Sequence, residues 1–165
     1  YFNLFDYNGD EFPDLIYTNG DNADFPPILK PYHGIRIFQN DGQNNFEEVF
    51  FYPLNGAYKA IPADFDQDGD MDIAAISFFP DFSNRKEEGF VFLDNQGALE
   101  FKTYSFPTVN KGRWIVMDAE DADGDGDLDI ALGSLAFEAP GHNALVNQWA
   151  SEGIPFLILE NTINE

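Results

Sequence analysis

Three nine-residue segments concentrate one chemistry: DYNGDEFPD beginning at Asp6, DFDQDGDMD at Asp64 and DADGDGDLD at Asp121. All three read D-x-[DN]-x-D-x-x-x-D, with carboxylate or amide oxygens at positions 1, 3, 5 and 9. In a tight loop these side chains, Asp6, Asn8, Asp10 and Asp14; Asp64, Asp66, Asp68 and Asp72; Asp121, Asp123, Asp125 and Asp129, can aim at a common centre. A backbone carbonyl from position 7 and water would complete the 6–8 oxygens that calcium takes at about 2.3–2.6 Å. Magnesium suits the pattern less well, because it demands a rigid octahedron and keeps its waters. Two carboxylates roughly 5 Å apart repel by about 3 kcal/mol at an effective dielectric of 20, so each cluster has a physical need for a cation.

A single D-x-D-G stretch is commonly a polar hairpin turn. Here the first aspartates stand at 6, 64 and 121, a spacing of 58 and then 57 residues, and similar sequence follows each. That periodicity identifies a repeat. The first loop is the weaker copy: Asn8 replaces a carboxylate, Glu11 stands where the others have Gly69 and Gly126, and Pro13 stiffens the turn. An EF-hand also opens D-x-[DN]-x-[DN]-G, but it needs a bidentate Glu at position 12. That position holds Tyr17, Ala75 or Leu132.

Short apolar runs at 15–17, 73–76 and 130–132 follow the loops, and runs at 58–61 and 113–117 precede the second and third. Each loop therefore reads as the tip of a hairpin. A third strand is expected at 34–38, 89–93 and 154–159, each followed by an asparagine, Asn40, Asn95 or Asn161. Turns at Asp41-Gly42 and Gln96-Gly97 lead to a fourth strand at 46–51 and 99–104, whose charges suit an outer edge. One short helix is expected near 143–149, inside the connection 134–153. Apolar strands buried on both faces, four to a repeat, predict an all-β fold of β-propeller blades. The expected blades are 1–57, 58–112 and 113–165, the last incomplete. Three blades fall short of the usual closed ring of about 4–8, so the remaining blades of a larger propeller are expected partners.

Composition limits the functions. The chain of 165 residues is 44% hydrophobic, and 30 Asp+Glu against 8 Lys+Arg give a formal net charge of −22. Such a field repels phosphate backbones and anionic membranes, which argues against nucleic acid. No cysteine is present, so disulfides and thiolate metal sites are excluded. No apolar stretch approaches the length of a membrane span, so no membrane insertion is expected.

The loops, the D-[IL]-[AI]-x pattern after them and the blade length resemble the FG-GAP/VCBS repeat family, also found in integrin α-subunit heads. The likeness covers nearly the whole chain. No literal Phe-Gly…Gly-Ala-Pro signature occurs, which favours the VCBS-like branch. The resemblance implies up to three calcium ions, one per loop, bound by the side chains named above and by the backbone carbonyls of Phe12, Asp70 and Asp127. The Asp70 and Asp127 side chains would then only tune the field or sit in water. It also implies a secreted or cell-surface protein.

Strand direction puts the connections 18–33, 77–89 and 134–153 at the end opposite the loops, together with 51–57 and 106–112. Tyr32, His33, Phe79, Phe82, Arg85, Lys86, Lys111, His142 and Trp149 lie there, a mixture that could stack on a glycan or receive a protein partner. The expected function is a calcium-binding structural or adhesion scaffold. The alternative is the propeller domain of an extracellular polysaccharide-active lyase or hydrolase. His33 and His142 have no nucleophile at a motif spacing, Trp114 reads as core, and no catalytic residue is assigned.

Overall fold

The computed structural model describes residues 1–20 and 28–163. The middle of the connection 18–33 and the last two residues of the third blade lie outside the described residues. The chain forms three antiparallel sheets. The first comprises β1 (Phe2–Phe5), β2 (Asp14–Asn19), β3 (Gly34–Asn40) and β4 (Phe46–Pro53), paired in that order. The second repeats this meander with β5 (Ala57–Ala63), β6 (Asp72–Ser77), β7 (Phe90–Asn95) and β8 (Phe101–Tyr104). The third has β9 (Trp114–Glu120), β10 (Asp129–Ser134) and β11 (Phe156–Leu159). One helix, α1 (Asn143–Glu152), fills the last connection and runs three residues beyond the expected segment.

Alternation along a strand sends neighbouring side chains to opposite faces, and the sheets use this to stack. Ile16, Ile35 and Ile37 of the first sheet meet Ala57, Ala60, Ile73, Ala75, Val91 and Leu93 of the second in one buried core. The other face of the second sheet, through Ala74, Ile76 and Phe90, meets Trp114, Met117, Ile130 and Leu132 of the third. Every residue of β6 is consequently buried, as a central strand covered on both sides must be. Alanines on the middle sheet opposite isoleucines on the first let the faces interdigitate, and each buried isoleucine contributes about 1.5–3 kcal/mol. The chain is thus nearly all β, built of propeller-type blades that do not close on themselves. Phe2, Leu4 and Tyr17 on the outward face of the first sheet, and Val116, Phe156 and Ile158 on that of the third, remain exposed.

The hairpin tips between β1 and β2, β5 and β6, and β9 and β10 are the three acidic segments, so the stacked sheets bring them to one end. Pairing of Phe5 with Asp14, Ala63 with Asp72 and Glu120 with Asp129 fixes where each loop leaves its sheet.

Candidate metal centre

Each loop is shaped by its own side chains. The position 1 carboxylate accepts the position 6 N–H: Asp6 from Glu11 at 2.8 Å, Asp64 from Gly69 at 3.1 Å, Asp121 from Gly126 at 3.1 Å. Position 3 accepts from position 5, with Asn8, Asp66 and Asp123 bonded to the N–H of Asp10, Asp68 and Asp125. Position 5 accepts from position 7, with Asp10, Asp68 and Asp125 bonded to the N–H of Phe12, Asp70 and Asp127. These short-range bonds are why Asp and Asn occupy odd positions, and they coil the chain around the carboxylates.

Position 9 does a separate job. Asp14, Asp72 and Asp129 are buried, and one oxygen of each accepts the position 2 N–H, from Tyr7, Phe65 and Ala122. The other oxygen accepts the N–H of the asparagine ending the third strand: Asn40 at 2.8 Å, Asn95 at 2.8 Å, Asn161 at 2.9 Å. The repeated asparagines, visible in the sequence without a role, are therefore the other half of a lock under each loop. Asp129 still reaches the cluster above it, whereas Asp14 and Asp72 do not enter one.

Asp64, Asp66 and Asp68 bring carboxylate oxygens within 4.8 Å of one another, and so do Asp121, Asp123 and Asp129. Asp125 is placed by its bond to Asp127 N–H but stands outside that trio. In the first loop no carboxylate trio converges, and the Asn8 amide nitrogen donates to Asp10 at 2.8 Å where the other loops have a carboxylate. Asp70 is exposed, whereas Asp127 is buried, so its side chain does not sit in water. Phe12 is exposed at position 7.

Electrostatics separate the loops further. Asp6 feels slight burial, but N–H donors at Glu11, Gly9 and Asp10 together hold its carboxyl below the ordinary value. In the second loop the balance reverses. Burial pushes Asp72 up to about 6 against the N–H donors of Asn95 and Phe65, with Asp66 and Asp94 adding negative field. Asp66 is raised too, by burial first and then by Asp68 and Asp94. Sequence reading overlooked Asp94. The signal was there: Gln39, Asp94 and Glu160 each precede the locking asparagine, and only the second is an aspartate.

The donor set fits a hard divalent cation. It consists only of oxygens, and Asp64 Oδ1 is a buried carboxylate oxygen without a hydrogen-bond partner. Burying such an atom costs free energy unless something positive meets it. In the loops on either side, the equivalent oxygens of Asp6 and Asp121 accept the N–H of Gly9 and Gly124.

At the opposite end the structure corrects the list of accessible groups. His33 is buried, and its Nδ1 accepts the Gly56 N–H at 3.2 Å. Phe79 is buried, as is Trp149, whose Nε1 donates to the Asn110 carbonyl at 3.0 Å. These three pack the fold. Tyr32, Arg85, Lys86 and Lys111 are exposed, while Phe82 and His142 are half-buried with ring centroids 5.5 Å apart. Trp114 is fully buried, as expected. Arg113, read only as the start of a strand, is buried instead. It donates to the carbonyls of Phe78, Phe137 and Glu138 and stacks 3.8 Å from the Phe78 ring centroid.

Stacked antiparallel meanders of three or four strands, each with an acidic loop on its first hairpin, are compatible with propeller blades. Residues 6–75 match the family model of the FG-GAP-like repeat. The match takes in the first two acidic loops, and the third repeats their pattern beyond it. No curated protein matches the chain. Among the described residues no helix is long and apolar enough to cross a membrane.

Proposed function

We propose that this chain is a calcium-binding propeller segment of a secreted or cell-surface protein, serving as a rigid scaffold for a protein or glycan partner. The observation that carries the reading is the second loop, where three converging carboxylates include a buried oxygen with no partner. Asp64, Asp66 and Asp68 would hold one ion and Asp121, Asp123 and Asp129 another, with the backbone carbonyls of Asp70 and Asp127 as further donors. Asp6, Asn8, Asp10, Asp14 and the Phe12 carbonyl form a third, weaker site. The ion would supply positive charge that cancels carboxylate repulsion and braces the hairpin. It takes no part in a reaction.

Weak oxygen-only sites fill where calcium is millimolar, which favours the outside of the cell. The blades are taken as 1–57, 58–112 and 113–165. The exposed apolar faces of the first and third sheets suit further blades of a parent chain. The partner surface is assigned to the end away from the loops, around Tyr32, Phe82, His142 and Lys86. Calorimetry on calcium-loaded protein tests the metal reading: excess EGTA should lower the Tm, and an unchanged Tm would remove the structural ion.

A further inference from the structure

We infer that the second and third loops act as one coupled pair, with Asn161 and Gln67 as the positioning residues that join them. The inference rests on the proposal that both loops bind a cation, and concerns how filling one affects the other.

The three locking asparagines differ in one respect. Asn40 and Asn95 each turn Nδ2 back to a position 8 carbonyl of their own blade, Pro13 and Met71, both at 3.1 Å. Asn161 instead crosses to the preceding blade and donates Nδ2 to the Phe65 carbonyl at 2.8 Å. Its own N–H holds Asp129 at 2.9 Å, and the Phe65 N–H holds Asp72 at 3.2 Å. A continuous chain thus runs from the base of the third loop to that of the second: Asp129, Asn161, Phe65, Asp72. Phe65 lies between Asp64 and Asp66, two members of the converging cluster. A second link runs nearer the surface, where Gln67 Nε2 donates to the Gly126 carbonyl at 3.3 Å. Gln67 lies between Asp66 and Asp68, and Gly126 adjoins the position 7 peptide of its loop. Among the described residues no hydrogen bond joins the first loop to the second.

Cation binding in either loop draws in the carboxylates that flank Phe65 and Gln67, or anchors Asp129 and the Gly126 peptide. Either event orders groups that both loops share. The second ion then binds to a loop whose backbone is already restricted and loses less conformational entropy, which makes the coupling positive. Coupling of this kind is reciprocal: each ion must raise the other's affinity by the same factor.

Calcium titration of the chelator-stripped full chain, with site-resolved NMR, tests this. Asp123→Ala should weaken the second loop, and Asp66→Ala the third, each by about five-fold, near the low end of allosteric couplings. Asn161→Ala, which removes the link through Phe65 and keeps the one through Gln67, should remove most of the mutual effect. Gln67→Asn, which tolerates the left-handed backbone at φ 60° but is too short to reach Gly126, should reduce it. Should Asn161→Ala misfold, amide exchange in the Asp66→Ala chain gives a second reading, since calcium filling only the third loop should slow exchange at Phe65. Both loops binding calcium with affinities indifferent to each other's mutation, or Phe65 exchange unmoved by calcium, overturns the coupling and leaves the cation reading intact. No calcium uptake by either loop overturns both.

Discussion

The two ends of the blades solve opposite electrostatic problems. At the loop end, carboxylates converge and one Asp64 oxygen is buried without a hydrogen-bond partner. At the other end a buried cation stands alone: Arg113 has three carbonyl acceptors, an Nη2 without a partner and, among the described residues, no carboxylate at ion-pair distance. Burial pulls its pKa down to about 10, so it stays charged at neutral pH. The loop end uses one hydrogen-bond scheme three times over, because it performs one task in each blade. The far end is built from unlike connections, and Arg113 ties two of them together by bonding the 77–89 segment through Phe78 and the 134–153 segment through Phe137 and Glu138. Repetition marks what the fold needs everywhere; irregularity marks where a particular surface is made.

The largest test of this contrast is to withdraw the proposed cation from the loop end. If calcium fills the second and third loops at about 100 times Kd, each contributes about 2.7 kcal/mol and EGTA removes roughly 5 kcal/mol. Asp66→Ala and Asp123→Ala should each abolish roughly two-thirds of the calcium-dependent gain in Tm, the lost site plus the weakened partner, whereas Asn8→Ala should change it least.

Next is the cation that the protein supplies itself. Arg113→Met removes the guanidinium bonds to the carbonyls of Phe78, Phe137 and Glu138 and should cost about 4 kcal/mol in denaturant unfolding. The loss should be the same with calcium or EGTA. A calcium-dependent loss would show that the ends are not independent.

A pH profile separates the ends by a third route. Glu88 sits in a short turn at the far end, buried, bonded to Arg85 at 2.9 Å with its other oxygen unpartnered, and burial raises its pKa to about 7. In the unfolded chain it ionises near 4.5, so between about pH 4.5 and 7 the unfolded state loses its proton first and stability falls as pH rises. The fall attributable to Glu88 is up to about 3 kcal/mol by linkage. Glu88→Gln should flatten that part of the Tm profile in EGTA; an identical profile would place the titration elsewhere.

The smallest effect compares loop one with its neighbours. Glu11 adopts φ 68° where Gly69 and Gly126 adopt 98°. A non-glycine residue there is strained, so Glu11→Gly should stabilise the protein by about 1 kcal/mol less the entropy cost of glycine. Urea midpoints with and without calcium would detect it.

Much of this was legible in the chain. The 58- and 57-residue spacing located three hairpins, Gly42 and Gly97 marked turns that do adopt positive φ, and continuous apolar runs such as 73–76 announced strands buried on both faces. The loop differences were visible too: Asn8 and Glu11 depart from the repeat, and the structure shows one engaging Asp10 and the other strained. Arg113, Glu88 and Asp94 were not legible, because burial of a charge depends on elements distant in sequence. His33 is a polar ring near a loop in the sequence, and only the placement of its neighbours shows it buried.

The sequence by itself determined the repeat, the strand alternation and the oxygen-rich loops, since these follow from local spacing and backbone geometry. Tertiary structure decided which carboxylates converge, which face of each sheet is covered, and that of the three locking asparagines Asn161 is the one whose side chain reaches across to another blade. Such contacts join residues up to 96 positions apart, and only the stacking of sheets brings them within hydrogen-bond range.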